Sequence, residues 1–474
     1  MKKTISAILA SLMCLTVFAK AGGPVDASKY GFKPGASAQA NAKALQKALD
    51  GGHKTVTISV PGTYDLDSTI YLDDETELVC GRGVLLRKAA DYCNMFVNRG
   101  ALTREYNRGI VLRGLRLSVD GHDNPPTEDS PLFGLRAQLA FLCTSYVQVH
   151  DFECLDLGKM QYGIQFNQSD HYILDTFVIK GDKDGVHISS SDCFVIRNGI
   201  MQTFDDALAL NASDWNSSNC VDGDITDGLI ENITDEYLEP HSGELCRLLV
   251  GAWVDWYDGI SIRRGDMVVC DGRLYKAIAP VVDTGYVSKT RPTTTSFEGQ
   301  QRDEGGFGWK LVRTDKVYHS TNIRNVTLRR ISAYSSRSGF SQEAYFSDSE
   351  WARTFHPDVY GHYDRYPRIE DVTIDDCYLP GIAWLFWNQE KVHSYMTFRN
   401  MRGFKRMLRL NAPENPEIRC DFNVLGCDFT HVTDSVDLVV PKGVNLRVMG
   451  SICNDALRVS GDGDFQTDSP IIRK

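Results

Sequence analysis

Gly163-Ile-Gln-Phe-Asn-Gln-Ser-Asp170, Gly185-Val-His-Ile-Ser-Ser-Ser-Asp192 and Ala207-Leu-Ala-Leu-Asn-Ala-Ser-Asp214 are one phrase written three times, at a constant step of 22 residues. Short β-prone runs recurring at such a period mark a solenoid, in which each repeat buries its apolar face only by stacking on its neighbours. A coil of that length has no room for a helix and suits a parallel β-helix. Stacked coils lie about 4.8 Å apart, the spacing of hydrogen-bonded strands. Residues one step apart therefore sit one above another. That register puts Asp184 under Asp206, and Asp205 is next to Asp206 in sequence. Three carboxylates crowd one patch, and a coil with a purely structural task has no reason to build that.

The rest of the chain extends this reading in both directions. Lys2 and Lys3 precede an apolar run from Ile5 to Ala19, and Ala19-Lys-Ala21 offers a small-x-small cleavage site. This is the pattern of a secretory leader cut after Ala21; the run is short for a membrane span. The expectation is an exported protein, periplasmic or extracellular. The formal charge is −11, and loss of the leader, which holds three Lys and no acid, makes the remainder more negative. Nucleic acid and anionic membrane are thereby disfavoured as partners, since both select basic surfaces. Twelve of the 13 Cys lie beyond the leader, with no close CxxC pair of the zinc kind. Most are expected as small buried hydrophobes, with room for one or two bridges.

Ser37 is an N-cap candidate for an Ala-rich helix that stops at Gly51-Gly52. Short strands separated by turns follow: 56–60, 64–66, 69–72 and 76–79. A β-helix needs its open end covered, and this helix is the natural cap. A polar, Pro-rich excursion over 120–131 reads as a loop. At about Gly251 the text changes to an aromatic, turn-rich segment, and coil-like runs resume at Ile323. The division expected is therefore a leader over 1–21, a β-helix over 22–251 and 317–474, and a small β-rich insertion over 252–316. The class is all-β.

Asp170, Asp192 and Asp214 are expected as a ladder at equivalent bends, where Asp bonds local backbone. Asp184, Asp205 and Asp206 fit that role less well, because stacked like charges repel and raise a carboxyl pKa. A raised acid beside ionised carboxylates is the equipment of glycosidic cleavage. His187 shares a position with Gln165 and Ala209. Strict alternation turns it away from Asp184, as a core histidine with its bonds satisfied.

Lys183-Asp184-Gly185-Val-His-Ile and Phe204-Asp205-Asp206-Ala-Leu-Ala-Leu resemble the two aspartate motifs of the polygalacturonase family of inverting glycoside hydrolases, on the pectin-lyase-like β-helix. The resemblance implies that Asp205 is the general acid and that Asp184 with Asp206 activates water. It also requires a bend at 205–206, since alternation would send the two side chains to opposite faces. Lys183, His241 and Arg247 are the substrate-binding candidates. The family's Arg-Ile-Lys is Arg247-Leu-Leu249 here, which keeps the Arg and loses the Lys; a neutral sugar, or one carrying its carboxylate away from the cleavage subsite, is the better expectation than polygalacturonate. No cofactor or metal is implied. Two other readings stay open. One is a calcium-assisted polysaccharide lyase with Lys183 or Arg247 as base, and the other is a glycan-binding protein without catalysis. Trp351, Tyr360, Tyr363, Tyr366, Trp384 and Trp387 are candidates for packing or for stacking on sugar rings. Residues 252–316 resemble small chitin-type carbohydrate-binding modules through Gly265-Asp-Met-Val268, Gly272-Arg-Leu-Tyr275 and Trp309-Lys-Leu311, and are expected to border the acids.

Overall fold

The computed structural model describes residues 22–474 apart from 216, 240, 282–283, 315–318, 345–365, 390–391, 414–415, 433–436, 455 and 474. The leader reading and Trp351, Tyr360 and Tyr363 thus lie outside the described residues. The chain is a right-handed parallel β-helix. One continuous system of 26 strands pairs coil on coil, and parallel crossovers of this kind are right-handed. Strands Ile164–Gly181 and Val186–Thr203 pair residue for residue at the constant step, from Ile164↔Val186 to Gly181↔Thr203.

Coils turn corners by placing a single non-glycine residue in the left-handed region at the same place in each. One corner stacks His171, Cys193, Asp227, Asn325 and Asp371, with φ between 52° and 54°. Asn and Asp tolerate this conformation better than other side chains. Inside, rings stack along the axis: Phe141 on Phe166 at 5.2 Å and Tyr172 on Phe194 at 5.3 Å. Outside, charges alternate from coil to coil. Arg87 meets Asp65 at 2.6 Å, Arg197 meets Asp175 at 2.7 Å, and Arg399 meets Asp375 at 2.5 Å.

The helix Ala38–Leu49 is capped by Ser37, whose Oγ accepts from the Ala40 N–H at 3.3 Å. Its Ala42, Ala44, Leu45, Ala48 and Leu49 join the solenoid's apolar core. Gln46 binds both the N–H and the carbonyl of Tyr71, at 2.8 and 3.1 Å, which ties the helix to a coil strand. No helix among the described residues is long and apolar enough to cross a membrane. None of the twelve described cysteines is bridged, and eight of them are buried as small hydrophobes.

The constant step ends at Asn211. Residues 212–224 leave the coil and fold back across its outer face, where Gln165 and Asn167 donate to the Ser218 and Val221 carbonyls at 2.8 and 2.9 Å. The ladder partner of Asp192 is consequently Thr226, not Asp214. This corrects the expected Asp170–Asp192–Asp214 ladder: an inserted loop carried Asp214 out of register. A second excursion, from Val254–Asp255 to Phe307–Arg313, forms a separate five-stranded sheet around its own apolar cluster.

Candidate functional site

The acids lie where the chain enters the sheet that begins at Val186 and Leu208. Between Thr203 and Leu208 the backbone leaves strand conformation, which supplies the bend that Asp205 and Asp206 need to share a face. Gly185 makes the next coil's approach feasible, since a Cβ there would stand 2.7 Å from the Ala207 carbonyl oxygen. The backbone link Gly185 N–H to Asp206 O, at 3.0 Å, continues through Ala207 N–H to Glu244 O, also at 3.0 Å. One column therefore holds Tyr162, Asp184, Asp206 and Glu244. One carboxylate oxygen from each of Asp184, Asp205 and Asp206 falls within 4.8 Å of the others.

Their surroundings differ. Asp184 and Asp206 are almost fully buried, whereas the Asp205 side chain is 23% exposed. Lys183 Nζ is seated on Asp205 Oδ2 and lies 3.6 Å from Asp184 Oδ1. Burial works against ionisation of Asp184, but the hydrogen bond with His187 and the Lys183 charge overcome it and hold its pKa below the usual value. Burial pushes Asp206 well above the carboxylate range, and the charges of Asp184 and Asp205 add to this against Arg247. The two environments thus shift the pair in opposite directions, Asp184 down and Asp206 up.

His187 corrects the alternation argument. It is fully buried and its bonds are satisfied, but its Nδ1 meets Asp184 Oδ2 at 3.1 Å and its Nε2 meets Asn219 Oδ1 at 3.1 Å. Strand geometry starts only at Val186, so the irregular backbone at 184–185 swings the Asp184 side chain to the face that His187 occupies. The imidazole stacks on Tyr162 at 4.4 Å, nearly parallel. Asp214 Oδ2 lies 3.5 Å from His187 Nε2, so this residue, expected at a bend, belongs to the wall of the site.

Arg247 Nη1 approaches Asp206 Oδ2 at 3.9 Å, Nη2 donates to Glu343 at 2.6 Å, and the guanidinium lies over Trp215 at 5.5 Å. Among the described residues His241 makes no hydrogen bond or ion pair with the acids. The segment after it does approach them: Ser242 N–H donates to Phe204 O at 2.6 Å, and the Glu244 N–H donates to Asp206 Oδ1 at 2.7 Å. Of the late aromatics, Tyr366 is buried, Trp384 stacks with Arg406 at 5.1 Å, and the Trp387 indole N–H points to Glu244 Oε1 at 3.4 Å.

Two groups escaped the sequence reading. Glu244 is pushed up to about 7 by burial and by Glu343, and its Oε2 is buried without a hydrogen bond. The loop at 212–224 lengthens its separation from Asp206 beyond one coil step, so no periodicity marks it. Arg337 is fully buried beside Asp235, with Nε to Oδ2 at 3.5 Å. Its donors hold backbone instead: Nη1 gives to the Asp205 and Glu244 carbonyls at 2.7 and 3.2 Å, and Nη2 gives to Thr203 O. A guanidinium spanning these three carbonyls fixes the bend that presents the acids.

The excursion is fastened elsewhere. Lys276 pairs with Asp222 at 3.1 Å, Arg313 donates to Ser190 Oγ at 3.2 Å, and Arg264 contacts Glu128. No described residue of the excursion bonds Asp184, Asp205 or Asp206. Its Tyr275 and Trp309 are buried in its own core, where small size demands them.

No family model matches the chain, and no curated protein is similar to it in sequence. Among solved structures it is similar to the N-terminal fragment of bacteriophage Phi29 gene product 12, at 10% identity and a TM-score of 0.50, over 98% of this chain and 68% of that one. It is also similar to a family 28 exopolygalacturonase of Yersinia enterocolitica (10% identity, TM-score 0.45, 96% and 77% of the two chains). The endo-xylogalacturonan hydrolase of Aspergillus tubingensis gives 10% identity and a TM-score of 0.46 over 95% of each chain. At 10% identity the likeness is one of fold alone, in keeping with the parallel coil-on-coil pairing of this chain's own strands.

Proposed function

We propose that the chain is an exported glycoside hydrolase that cuts a polysaccharide or oligosaccharide with Asp184, Asp205 and Asp206. One observation carries this reading: three carboxyl groups converge on one patch, with an oxygen of each within 4.8 Å of the others, and their surroundings shift Asp184 down and Asp206 up. Environments that separate paired acids in this way assign the acid and the base. Asp184, ionised and oriented by His187, takes a proton from water as the water oxygen bonds the anomeric carbon. The bond from that carbon to the leaving oxygen breaks, and the oxygen takes its proton from Asp206. Asp184 is left protonated and Asp206 ionised, and a proton passing from the first to the second restores the site. The resemblance gave the acid role to Asp205; with Lys183 seated on that carboxylate, the role moves to Asp206. Lys183 and Arg247 are then groups that hold and orient sugar hydroxyls. The basic-then-apolar leader supports export.

The test is a panel of plant and host glycans assayed for new reducing ends, with proton NMR of the first product. Inversion is expected from the resemblance. Inverting pairs usually stand roughly 6.5–9.5 Å apart, whereas the nearest oxygens here lie within 4.8 Å. Retention would therefore assign Asp184 as a nucleophile. The same three oxygens, with Lys183 beside them, favour a second reading, a cation-assisted lyase. Ultraviolet-absorbing unsaturated products, abolished by chelator and restored by Ca²⁺, would select it. No product on any glycan would leave a binding protein.

A further inference from the structure

Lys276 stands on strand Arg273–Ile278 of the excursion, directly opposite Lys310 of strand Phe307–Arg313, and it is buried. Lysine is almost never buried without a partner, and like charges facing each other disfavour a sheet. The excursion gains nothing by itself from a lysine there. The partner lies outside it: Lys276 Nζ reaches Asp222 Oδ2 at 3.1 Å, with both side chains nearly shut off from solvent. A strand position of the small sheet is thus given over to holding loop 212–224.

From Asp222 the contacts run on to the acids. Asp222 Oδ1 accepts from the Asp214 N–H at 3.0 Å, and Arg313 Nη1 donates to the Asp222 carbonyl at 3.4 Å. Asp214 Oδ2 and Asn219 Oδ1 then stand 3.5 and 3.1 Å from His187 Nε2. The Asn219 amide has one orientation only, because its Nδ2 donates to the Asn211 carbonyl at 3.1 Å and a carbonyl can only accept. Its Oδ1 therefore faces the ring, and His187 Nε2 carries a hydrogen. Nδ1 is left to engage Asp184 Oδ2 at 3.1 Å. Asp184 Oδ1 is buried without a hydrogen bond, and it is the atom of that carboxylate left for water. Lys276, Asp222, Asp214, Asn219, His187 and Asp184 are all buried, so a shift at one end is passed along by packing rather than absorbed by solvent.

We infer that Lys276 is a positioning residue for the acids, acting through Asp222 and loop 212–224 to hold His187 and, with it, Asp184. The excursion is then a buttress of the site and needs no contact with a substrate to affect turnover. The effect on turnover rests on the catalytic reading of Asp184; the hold on His187 does not.

The experiment compares Lys276→Met with the native full chain by urea denaturation, by kcat and KM on a glycan that the native chain cleaves, and by the His187 Nε2–H proton resonance in chain carrying isotope-labelled histidine. The kcat should fall about 10-fold or more while KM stays within about twofold, and the resonance should shift or vanish through exchange. Adding Asp222→Asn removes the stranded anion and keeps an oxygen for the Asp214 N–H, so the resonance and most of kcat should return. Arg264→Gln cuts a different tether of the excursion, the contact with Glu128, and should leave both readings unchanged. Lost stability with an unmoved resonance would overturn the proposal and make Lys276 a fastening alone. Equal effects from Arg264→Gln would overturn it as well. Should Lys276→Met fail to fold, Lys276→Gln keeps a donor and should show the same changes at about 3-fold. If no glycan is cleaved by the native chain, the catalytic reading fails. A resonance that moves with Lys276→Met then leaves the hold on His187 standing, and one that does not overturns it too.

Discussion

Two sets of coils use the same corners and the same strand spacing, yet they treat charge in opposite ways. In the late coils the outward column neutralises itself: Arg399 answers Asp375, and Asn445 donates to Asp421 at 2.5 Å, all in contact with solvent. In the coils around Asp206 the column stacks Asp184, Asp206 and Glu244, like on like, and withdraws most of their surface from water. Buried polar atoms of Asp184, Glu244 and Arg247 are left without a hydrogen bond. A ladder of opposite charges serves stacking alone. A column of like charges disfavours stacking, since each buried carboxyl loses hydration that its neighbour does not replace. The contrast locates a site without reference to any motif.

The sharpest way to break that contrast is to neutralise the column. Asp184→Asn or Asp206→Asn should lower kcat by about 10²–10⁴-fold with unchanged far-ultraviolet circular dichroism. Near-full activity in either variant would remove the distinction between the two columns.

Arg337→Met comes next. It leaves Asp235 buried without its cation and three carbonyls without their donor, an effect of about 3–5 kcal/mol on stability measurable by urea denaturation. Displacement of the acid-bearing bend should lower kcat about 10²-fold. Adding Asp235→Asn removes the stranded charge and should restore part of the stability but not the activity. Recovery of both together would mean that Arg337 only balances a charge.

The sequence carried the constant coil step, and through it the fold and the convergence of Asp184 with Asp206, because parallel stacking turns sequence separation directly into position. Past the loop at 212–224 that conversion fails. Glu244, Arg337 and Glu343 reach the site over intervals longer than a coil, and no periodicity announces them. The reversal of His187 had a different cause. Alternation holds only within strand backbone, and Asp184 lies just outside it. Asp214 was misplaced because the repeated Ser-Asp wording runs on after the coil has ended.

A smaller effect concerns pH. The pKa of Glu244 is raised from 4.5 to about 7, and that of Asp235 from 3.8 to about 6, by burial against the Arg337 charge. A group raised in the native state holds a proton that the unfolded chain releases. Its contribution is complete below the unfolded value and is lost as pH rises through the folded one. Melting temperature should therefore fall between pH 5 and pH 8, and Glu244→Gln should flatten that fall. An unchanged slope would show that Glu244 titrates normally.

The least effect belongs to the late coils. Asp375→Asn should change stability by at most about 1 kcal/mol and leave turnover untouched, as read from the same denaturation and reducing-end assays. A large loss there would make the ladder more than stacking.

Arg329 donates to Glu231 at 2.7 Å across 98 residues of sequence, in the same coil-to-coil relation that Arg197 has to Asp175 across 22. The corner between those coils has absorbed an entire extra sheet without moving a strand by one place. Deleting one residue inside Val186–Thr203 would instead exchange its inward and outward side chains beyond that point. The molecule thus has a grammar for its own alteration. Its corners accept whole clauses, whereas its strands do not tolerate a missing letter. New surfaces can be grafted onto the solenoid by lengthening a corner, with the register of the acids carried along unread.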